Sequence, residues 1–394
     1  MAAQAEEPNP AAGSSSLPAA TDQAAQQAEG IYLSAELTVV VGSAELVQQA
    51  IDDPTRAANL YTDLQNLARR VAADTAAKAG PLAASVAARA TTAGDDDART
   101  TIARLNSALG WSPPPGYEIG HDANTGRMIA LELASSLSQA AGRITRFADD
   151  AYRAATVSGA LNQTGEVFDM VAGIITKAAP AEAQAAAWRQ LTSRGVTGFT
   201  DASGRQWNLA TYVEMAVRTA TQRAYNASHL DRFTRAGIDY FTISSDGRPC
   251  PLCAPWEGKV LAQTVSGSVT APSALTGDDV TFTVAATIDE ARAAGLFHPN
   301  CRHTLNPFMP GATILHANDW SDADEARYKA LQRQRYLERR VRQARLELAA
   351  AITPAQKQQA AQTIRDRAAA AKQFAADNGL VNRPRRQQLN LGLH

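Results

Sequence analysis

Two short windows in this 394-residue sequence carry residues able to bind a metal: Cys250-x-x-Cys253 and His298-x-x-Cys301-x-His303. The chain has three cysteines and six histidines, and five of those nine fall in the two windows. Zinc takes four ligands, drawn from thiolate and imidazole, in tetrahedral geometry. A Cys-x-x-Cys knuckle between a strand and a turn presents two thiolates to one point, and the second window offers three further donors. We expect one structural zinc held by Cys250, Cys253, Cys301 and one histidine. His303 is slightly favoured over His298, because Pro299 fixes the backbone of His298 in an extended form that turns its ring away. Arg302 points elsewhere in the extended stretch between Cys301 and His303. Two other readings compete: buried, inert thiols in turns stiffened by Pro249, Pro251 and Pro299, and a redox dithiol. Three cysteines do not make a disulfide framework, and a reducing compartment is the simpler setting.

Catalytic signatures are missing from the sequence. There is no phosphate-binding Gly-x-x-x-x-Gly-Lys loop, no Gly-x-Gly-x-x-Gly, no His-Glu-x-x-His and no Gly-x-Ser-x-Gly. Pro249-Cys-Pro-Leu-Cys253 has the form of half a zinc-deaminase motif. That chemistry also needs a His-x-Glu or Cys-x-Glu, and none of these histidines or cysteines is followed by Glu two residues on. A catalytic zinc would keep an open position and a nearby carboxylate; Asp246 and Glu257 are the acids nearest the Cys-x-x-Cys in sequence. His121 and His229 read as ordinary surface or helix-end residues.

The windows must be positioned by a mainly α fold, in which helical N- and C-terminal parts flank a small α+β module. Ala-rich stretches with Gln, Arg and Glu favour helix, and aromatics are only 6%. Residues 1–30 read as a disordered, low-complexity arm without the basic start and apolar core of a secretory signal. A helical domain follows over 31–194. Asp53-Pro54 opens a helix in it, and Gly80-Pro81 ends or breaks one. Ala93–Asp97 looks like an acidic linker and Ser112-Pro-Pro-Pro-Gly116 is a break. A second helical block runs over 125–190, punctuated at Asn162–Gly165 and Pro180. No apolar run approaches membrane-spanning length, so a membrane is not an expected partner; with no catalytic signature, a small-molecule substrate is not expected either.

The module is expected over 195–315. Gly198-Phe-Thr-Asp-Ala-Ser-Gly-Arg-Gln-Trp207 reads as a hairpin, and Asn208 caps the next helix. Leu209, Tyr212, Val213, Ala216, Val217, Ala220 and Ala224 make its apolar face, Glu214 and Arg218 can pair four apart, and Gly237 ends it. Ile238–Ile243 reads as a strand and Asp246-Gly247 as a turn. Residues 264–285 suit a loop or β-excursion, and Ile288–Ala294 a short helix. A helical hairpin follows over 316–380: Ser321 caps a helix with the stripe Leu337, Val341, Ala344 and Leu348, Thr353-Pro-Ala-Gln356 is a capping box, and Asn378-Gly379 is a stop. Residues 381–394 read as a basic, flexible tail. The chain carries 38 Lys and Arg against 39 Asp and Glu. From Trp320 onward there are 15 basic and 7 acidic residues, an excess of 8, so the remainder is about -9. That excess raises a nucleic-acid-binding adaptor as one alternative function, with a metal-dependent enzyme or toxin using the Cys/His cluster as the other.

Five segments in order carry a resemblance. Gly198–Trp207 and Leu209-Ala-Thr-Tyr-Val-Glu-Met-Ala-Val-Arg-Thr219 resemble the phage minor capsid protein 2 family, within the Mu F-like head-morphogenesis group. Trp256-Glu-Gly-Lys-Val260 is similar to its Trp-x-Gly-Lys-Val. Asn300-Cys-Arg-His303 with Pro307-Phe-Met-Pro-Gly311 is similar to its Asn-Cys-Arg-His and Pro-Phe-x-Pro-Gly. Gln332–Arg342 looks like its arginine-rich helix, with slightly different spacing. The clear part covers residues 195–345. The resemblance implies a structural, non-catalytic minor head protein of a tailed phage. It implies a place in the virion near the portal vertex after assembly in the host cytoplasm, contacts with the portal and other capsid proteins, and a role in head assembly or DNA delivery. The basic excess from Trp320 onward points separately to packaged DNA or an acidic protein surface as a partner. Many relatives lack the Cys-x-x-Cys, so the metal rests on this chain's own residues. Some relatives carry a C-terminal toxin or protease domain, and none is expected here.

Overall fold

A computed structural model describes residues 17–119, 123–156, 188, 191–192, 207–244, 250–316 and 320–389. Helix dominates. Before the module come α1 (Leu17–Asp52), α2 (Pro54–Ala57), α3 (Leu60–Leu109), α4 (Ala123–Gly142) and α5 (Ile144–Thr156). Next come α6 (Leu209–Arg235), β1 (Tyr240–Ile243), β2 (Val260–Ala262), β3 (Gly267–Pro272), β4 (Asp279–Thr287), α7 (Ile288–Ala293) and β5 (Leu305–Pro307). The chain closes with α8 (Asp322–Ala349) and α9 (Pro354–Asp377). The expected hairpin at 198–207, except Trp207, the turn at Asp246-Gly247, His121 and the punctuation at Asn162–Gly165 and Pro180 lie outside the described residues.

The chain divides into two compact units. One takes Met1–Ala25, Leu82–Leu133 and Met215–Tyr328; the other takes Gln26–Pro81, Ala134–Glu214 and Lys329–His394. Of the module expected over 195–315, residues 215–315 fall in the first unit and 195–214 in the second. The core of the first unit also takes Ala98, Ile102 and Leu105 from α3.

The first unit holds a five-stranded mixed sheet in the order β3-β4-β2-β1-β5. Phe241 and Ile243 of β1 alternate with less buried Tyr240 and Thr242, the period of a strand with one covered face. All three residues of β2 are buried, as a central strand requires. It pairs antiparallel with β1 and parallel with β4, with a bulge between Val260 and Leu261. The Thr- and Ser-rich stretch that follows is a β-hairpin, β3 against β4, with Thr270 and Thr281 hydroxyls 2.9 Å apart across it. Thr287 then opens α7 with a full capping box to Glu290.

The expected helix ends hold. Asn208 accepts from the backbone of Thr211 at 3.0 Å, starting α6. At its other end Gly237 takes φ 79°, and the amides of Ile238 and Gly237 bond the carbonyls of Phe233 and Thr234, a Schellman closure. Ile238 and Phe233 join the same core, the contact that accompanies this cap. Asp53 accepts from Thr55, and Thr353 and Gln356 form the capping box of α9.

Other expectations are corrected. Residues from Leu17 to Gly30 are helical, not an arm: Ala24, Ala25 and Ala28 are buried, so the Ala-rich run is packed. Gly80-Pro81 lies inside α3. A proline there costs about 3 kcal/mol, but buried Leu82, Ala83, Val86 and Ala87 beyond it keep the helix worth forming. Ala93–Asp97 is likewise helix, because each feature that reads as a linker has a partner on α6. Gly94 packs so close to the Tyr225 backbone that a Cβ would collide with its carbonyl oxygen. The Tyr225 hydroxyl donates to Asp97 at 2.6 Å, and Arg232 donates to Asp95 at 2.6 Å. His229 is buried between the rings of Tyr225 and Phe233, not on the surface, and burial lowers its pKa to about 4. Within Thr21–Asp52, a window of mean hydropathy 1.4 is long and apolar enough to cross a membrane by length and composition, contrary to the sequence expectation. Much of that window, 56%, is buried, so its apolar content serves the core. At the far end, Pro384–Gln387 forms a 3-10 turn with Gln387 buried, which is more order than a flexible tail implies.

In the second unit the Tyr32 hydroxyl donates to the Leu137 carbonyl at 2.7 Å, and the Trp188 indole donates to the Ala350 carbonyl at 2.7 Å. Arg342 is paired with buried Glu29. Val341 and Ala344 of the expected stripe are buried, while Leu337 and Leu348 are only half-buried.

The Asp95–Arg232 pair supports a first prediction. Arg232 is fully buried and also donates to the Tyr117 carbonyl, so it ties α6 to α3 and to the following turn. Burial alone would raise the Asp95 carboxyl, but hydrogen bonds from Arg232 and Arg99 outweigh it and hold the pKa below the ordinary value. Removing one partner of a buried pair costs about 3 kcal/mol. Asp95→Asn should lower stability by about that amount near neutral pH in denaturant unfolding. Because the folded pKa is depressed, the pair's contribution is complete above the ordinary carboxyl pKa and is lost as pH falls below it, so wild type and variant should converge in acid.

Candidate metal centre

The structure brings all five expected donors together in the first unit. Cys250 and Cys253 stand on the turn after β1, where the amides of Cys253 and Ala254 bond the Cys250 carbonyl at 3.0 and 2.9 Å. A 3-10 turn, Ala254–Trp256, leads on to β2. The second window follows α7 in a tight turn, with Phe297 and Asn300 at φ 58° and 68°. Asn tolerates the left-handed region, whereas Phe there is held against its preference. The Cys301 amide bonds the His298 carbonyl at 2.9 Å, and the chain then enters β5.

α6 fixes this second window. Gln222 and Asn226, one turn apart and buried, each donate a side-chain amide to the His303 carbonyl at 3.2 Å. Thr219 accepts from the Asn300 amide at 3.4 Å. Arg302 points away, as expected, and pairs with Asp22 at 2.8 Å. Asp22 also takes Arg218 at 3.2 Å.

The donor atoms form two overlapping groups. Cys250, Cys253 and His298 lie within 4.8 Å of one another, as do Cys253, Cys301 and His303. Cys253 belongs to both groups. Cys253 and Cys301 sulfurs are 3.6 Å apart, and His303 Nδ1 is 3.4 Å from Cys301 Sγ. His298 Nε2 is 2.8 Å from Cys250 Sγ, while its Nδ1 is 2.8 Å from the Pro299 carbonyl oxygen. The other ring nitrogen of His303 meets the Glu257 carboxylate at 2.6 Å. Cys253, Cys301, His303 and Glu257 are all buried. The cysteines are part of the main core of this unit, beside Phe233, Phe241 and Leu305.

The electrostatics follow from one thiol serving two others. Hydrogen bonds from Cys253 and His298 pull the Cys250 thiol down to about 4. Hydrogen bonds from Cys253 and His303 pull Cys301 down to about 5, against its burial. Cys253, hydrogen-bonded to both, is pushed well above the ordinary thiol range. Burial opposes charge on His303, but Cys301 and Glu257 outweigh it and raise its pKa to about 10. The arrangement therefore favours ionised sulfur on Cys250 and Cys301, the form that ligates metal, with Cys253 as the thiol that donates to them.

Sequence reading found the five donors but not their supports. Glu257 stood out only as a nearby acid; its bond to His303 depends on the turn after Ala254–Trp256. Gln222 and Asn226 sit on the helix face opposite the apolar stripe, with no motif to mark them. Asp246 lies outside the described residues.

Comparison with known proteins gives the chain its class. The model of a family described as phage minor capsid protein 2 matches residues 134–376, and the chain belongs to that family. It is a structural protein of a phage. A relative described as "Structural protein", from Lactococcus phage LL-H, is 27% identical over 148 residues, which is 37% of this chain and 38% of the relative. The chain thus matches well under half of that relative's length. No solved structure matches.

Burial makes the thiols' reactivity predictable. A thiol-titrating disulfide reagent should count three thiols in the unfolded chain and react slowly with the native one, with Cys250, the most exposed of the three at 9%, leading. Rapid native reaction of Cys253 would contradict the packing described.

Proposed function

We propose that this protein is a minor head component at or near the portal vertex. There it contacts the portal protein and other capsid proteins and acts in head assembly or DNA delivery. The observation that carries the reading is the family match over 134–376, which takes in both Cys/His windows and the arginine-rich α8 in one chain. The site's construction fits a structural role. Its three cysteines and His303 are buried, and the Glu257 carboxylate is engaged by His303 rather than turned to an open position. That arrangement gives little support to the competing reading of a metal-dependent enzyme or toxin.

Contact with packaged DNA draws support from the basic C-terminal part. Some of its charge is used internally: Arg342 pairs with Glu29, and Arg367 donates to the Arg340 carbonyl at 2.9 Å. Arg333, Lys357, Lys372 and Arg385 are exposed. Exposed cations bind phosphate by releasing counterions, so the interaction weakens steeply with salt.

Mass spectrometry of purified particles should find this protein in virions or procapsids, cross-linked to the portal protein. Absence from both kinds of particle would overturn the placement. In filter binding, the full chain should retain duplex DNA at low salt and release it at moderate salt. Replacing Arg333, Lys357, Lys372 and Arg385 by Gln should lower the salt slope by several units. Failure of the wild type to bind at low salt would remove the DNA contact and leave an acidic protein surface as the tail's partner.

A further inference from the structure

We infer that Cys250, Cys253, Cys301 and His303 hold one structural zinc ion, with Glu257 orienting His303 and with His298 as a hydrogen-bond partner of Cys250 rather than a ligand. The choice between the histidines, open at the level of sequence, follows from distance. Two ligands on a tetrahedral zinc, at about 2.3 Å for sulfur and about 2.0 Å for nitrogen, stand about 3.8 Å apart for two sulfurs and about 3.5 Å apart for sulfur and nitrogen. Cys253 and Cys301 at 3.6 Å, and Cys301 and His303 at 3.4 Å, match those separations. Cys250 and His298 at 2.8 Å are too close to share an ion and stand as a direct hydrogen bond.

Each ring has a partner on its other nitrogen, the Glu257 carboxylate for His303 and the Pro299 carbonyl for His298, so distance carries the choice and burial adds to it: His303 is buried, His298 only half-buried. A ligating histidine characteristically donates its other ring N–H to a carboxylate or carbonyl, which fixes its tautomer and orientation. His303 does so to buried Glu257, which leaves Nδ1 as the ring nitrogen that faces Cys301. Its backbone is clamped by Gln222 and Asn226, so the ring is placed by α6 and not by its own loop. Around the sulfurs, backbone amides point inward: the His303 amide lies 3.4 Å from Cys301 Sγ. Three thiolates around a divalent cation leave a net negative site in the core. That amide offsets part of the charge. Four protein donors close the coordination shell, which makes the ion structural. It joins the two ends of the segment 254–297, whose β3–β4 hairpin is largely exposed and buries little apolar surface of its own.

The test uses the full chain purified without chelator. Elemental analysis should give about one zinc per chain, and X-ray absorption of that protein should show three sulfurs and one nitrogen around it. Cys253→Ser should lose the ion and melt at lower temperature. His303→Gln should also lose it, Glu257→Gln should keep it with affinity weakened about 10- to 100-fold in competition with a chromophoric chelator, and His298→Gln should keep one ion per chain. Wild-type protein that binds no zinc, with an unchanged melting temperature after chelation, would show the cysteines to be buried thiols only. A shell of two sulfurs, or retention by His303→Gln with loss by His298→Gln, would overturn the ligand set. The absorption measurement on wild type decides the shell even where a substituted chain fails to fold.

Discussion

The sheet unit depends on one meeting: Cys253 against Cys301, 3.6 Å apart in the core although β2, β3, β4 and α7 lie between them in the chain. Bringing two such distant points together has an entropic cost that grows with the segment closed. The segment's own packing offsets little of it, since most of the β3–β4 hairpin faces outward. Closure is borne instead by the buried triplet of β2, by the capping box that starts α7, and by the hydrogen bonds from α6 to the His303 carbonyl. Those contacts bring five metal-competent donors into two groups that share Cys253.

The same economy governs the buried charges. Asp95 and Arg232, Glu257 and His303, and Glu29 and Arg342 are each paired where burial would otherwise be prohibitive. Glu338 differs. Burial raises its pKa, and the nearby arginines Arg386, Arg383, Arg342 and Arg335 pull the other way without prevailing. The arginine-rich helix therefore owes part of its sequence to its own unit's interior, and only the remainder is available to a partner.

Local chemistry was legible in the sequence; tertiary rescue was not. Asn208, Gly237, Thr353 and Asn378-Gly379 were readable as helix ends because capping is satisfied within a few residues. The five donors were readable because two short windows concentrate them. Gly80-Pro81 and Ala93–Asp97 misled because both carry breaker residues whose cost is offset by distant neighbours. Leu82 and Val86 are buried beyond the proline, and Tyr225 and Arg232 meet the acidic run from another helix. The Ala-rich start misled in a different way: low complexity resembles disorder until something packs on it, and small side chains are what close packing needs.

Both units are assembled from three separate stretches of chain, and this bears on how the protein is made. The sheet unit draws its core from residues as far apart as Ala98 and Met309. During synthesis α3 emerges long before the strands it will cover, so for most of translation its apolar face has no native partner. Contacts of such long sequence separation slow folding, and unpartnered apolar helices invite capture by chaperones or by neighbouring nascent chains. A protein whose core joins stretches so far apart takes its mature shape only after the last of them has been made.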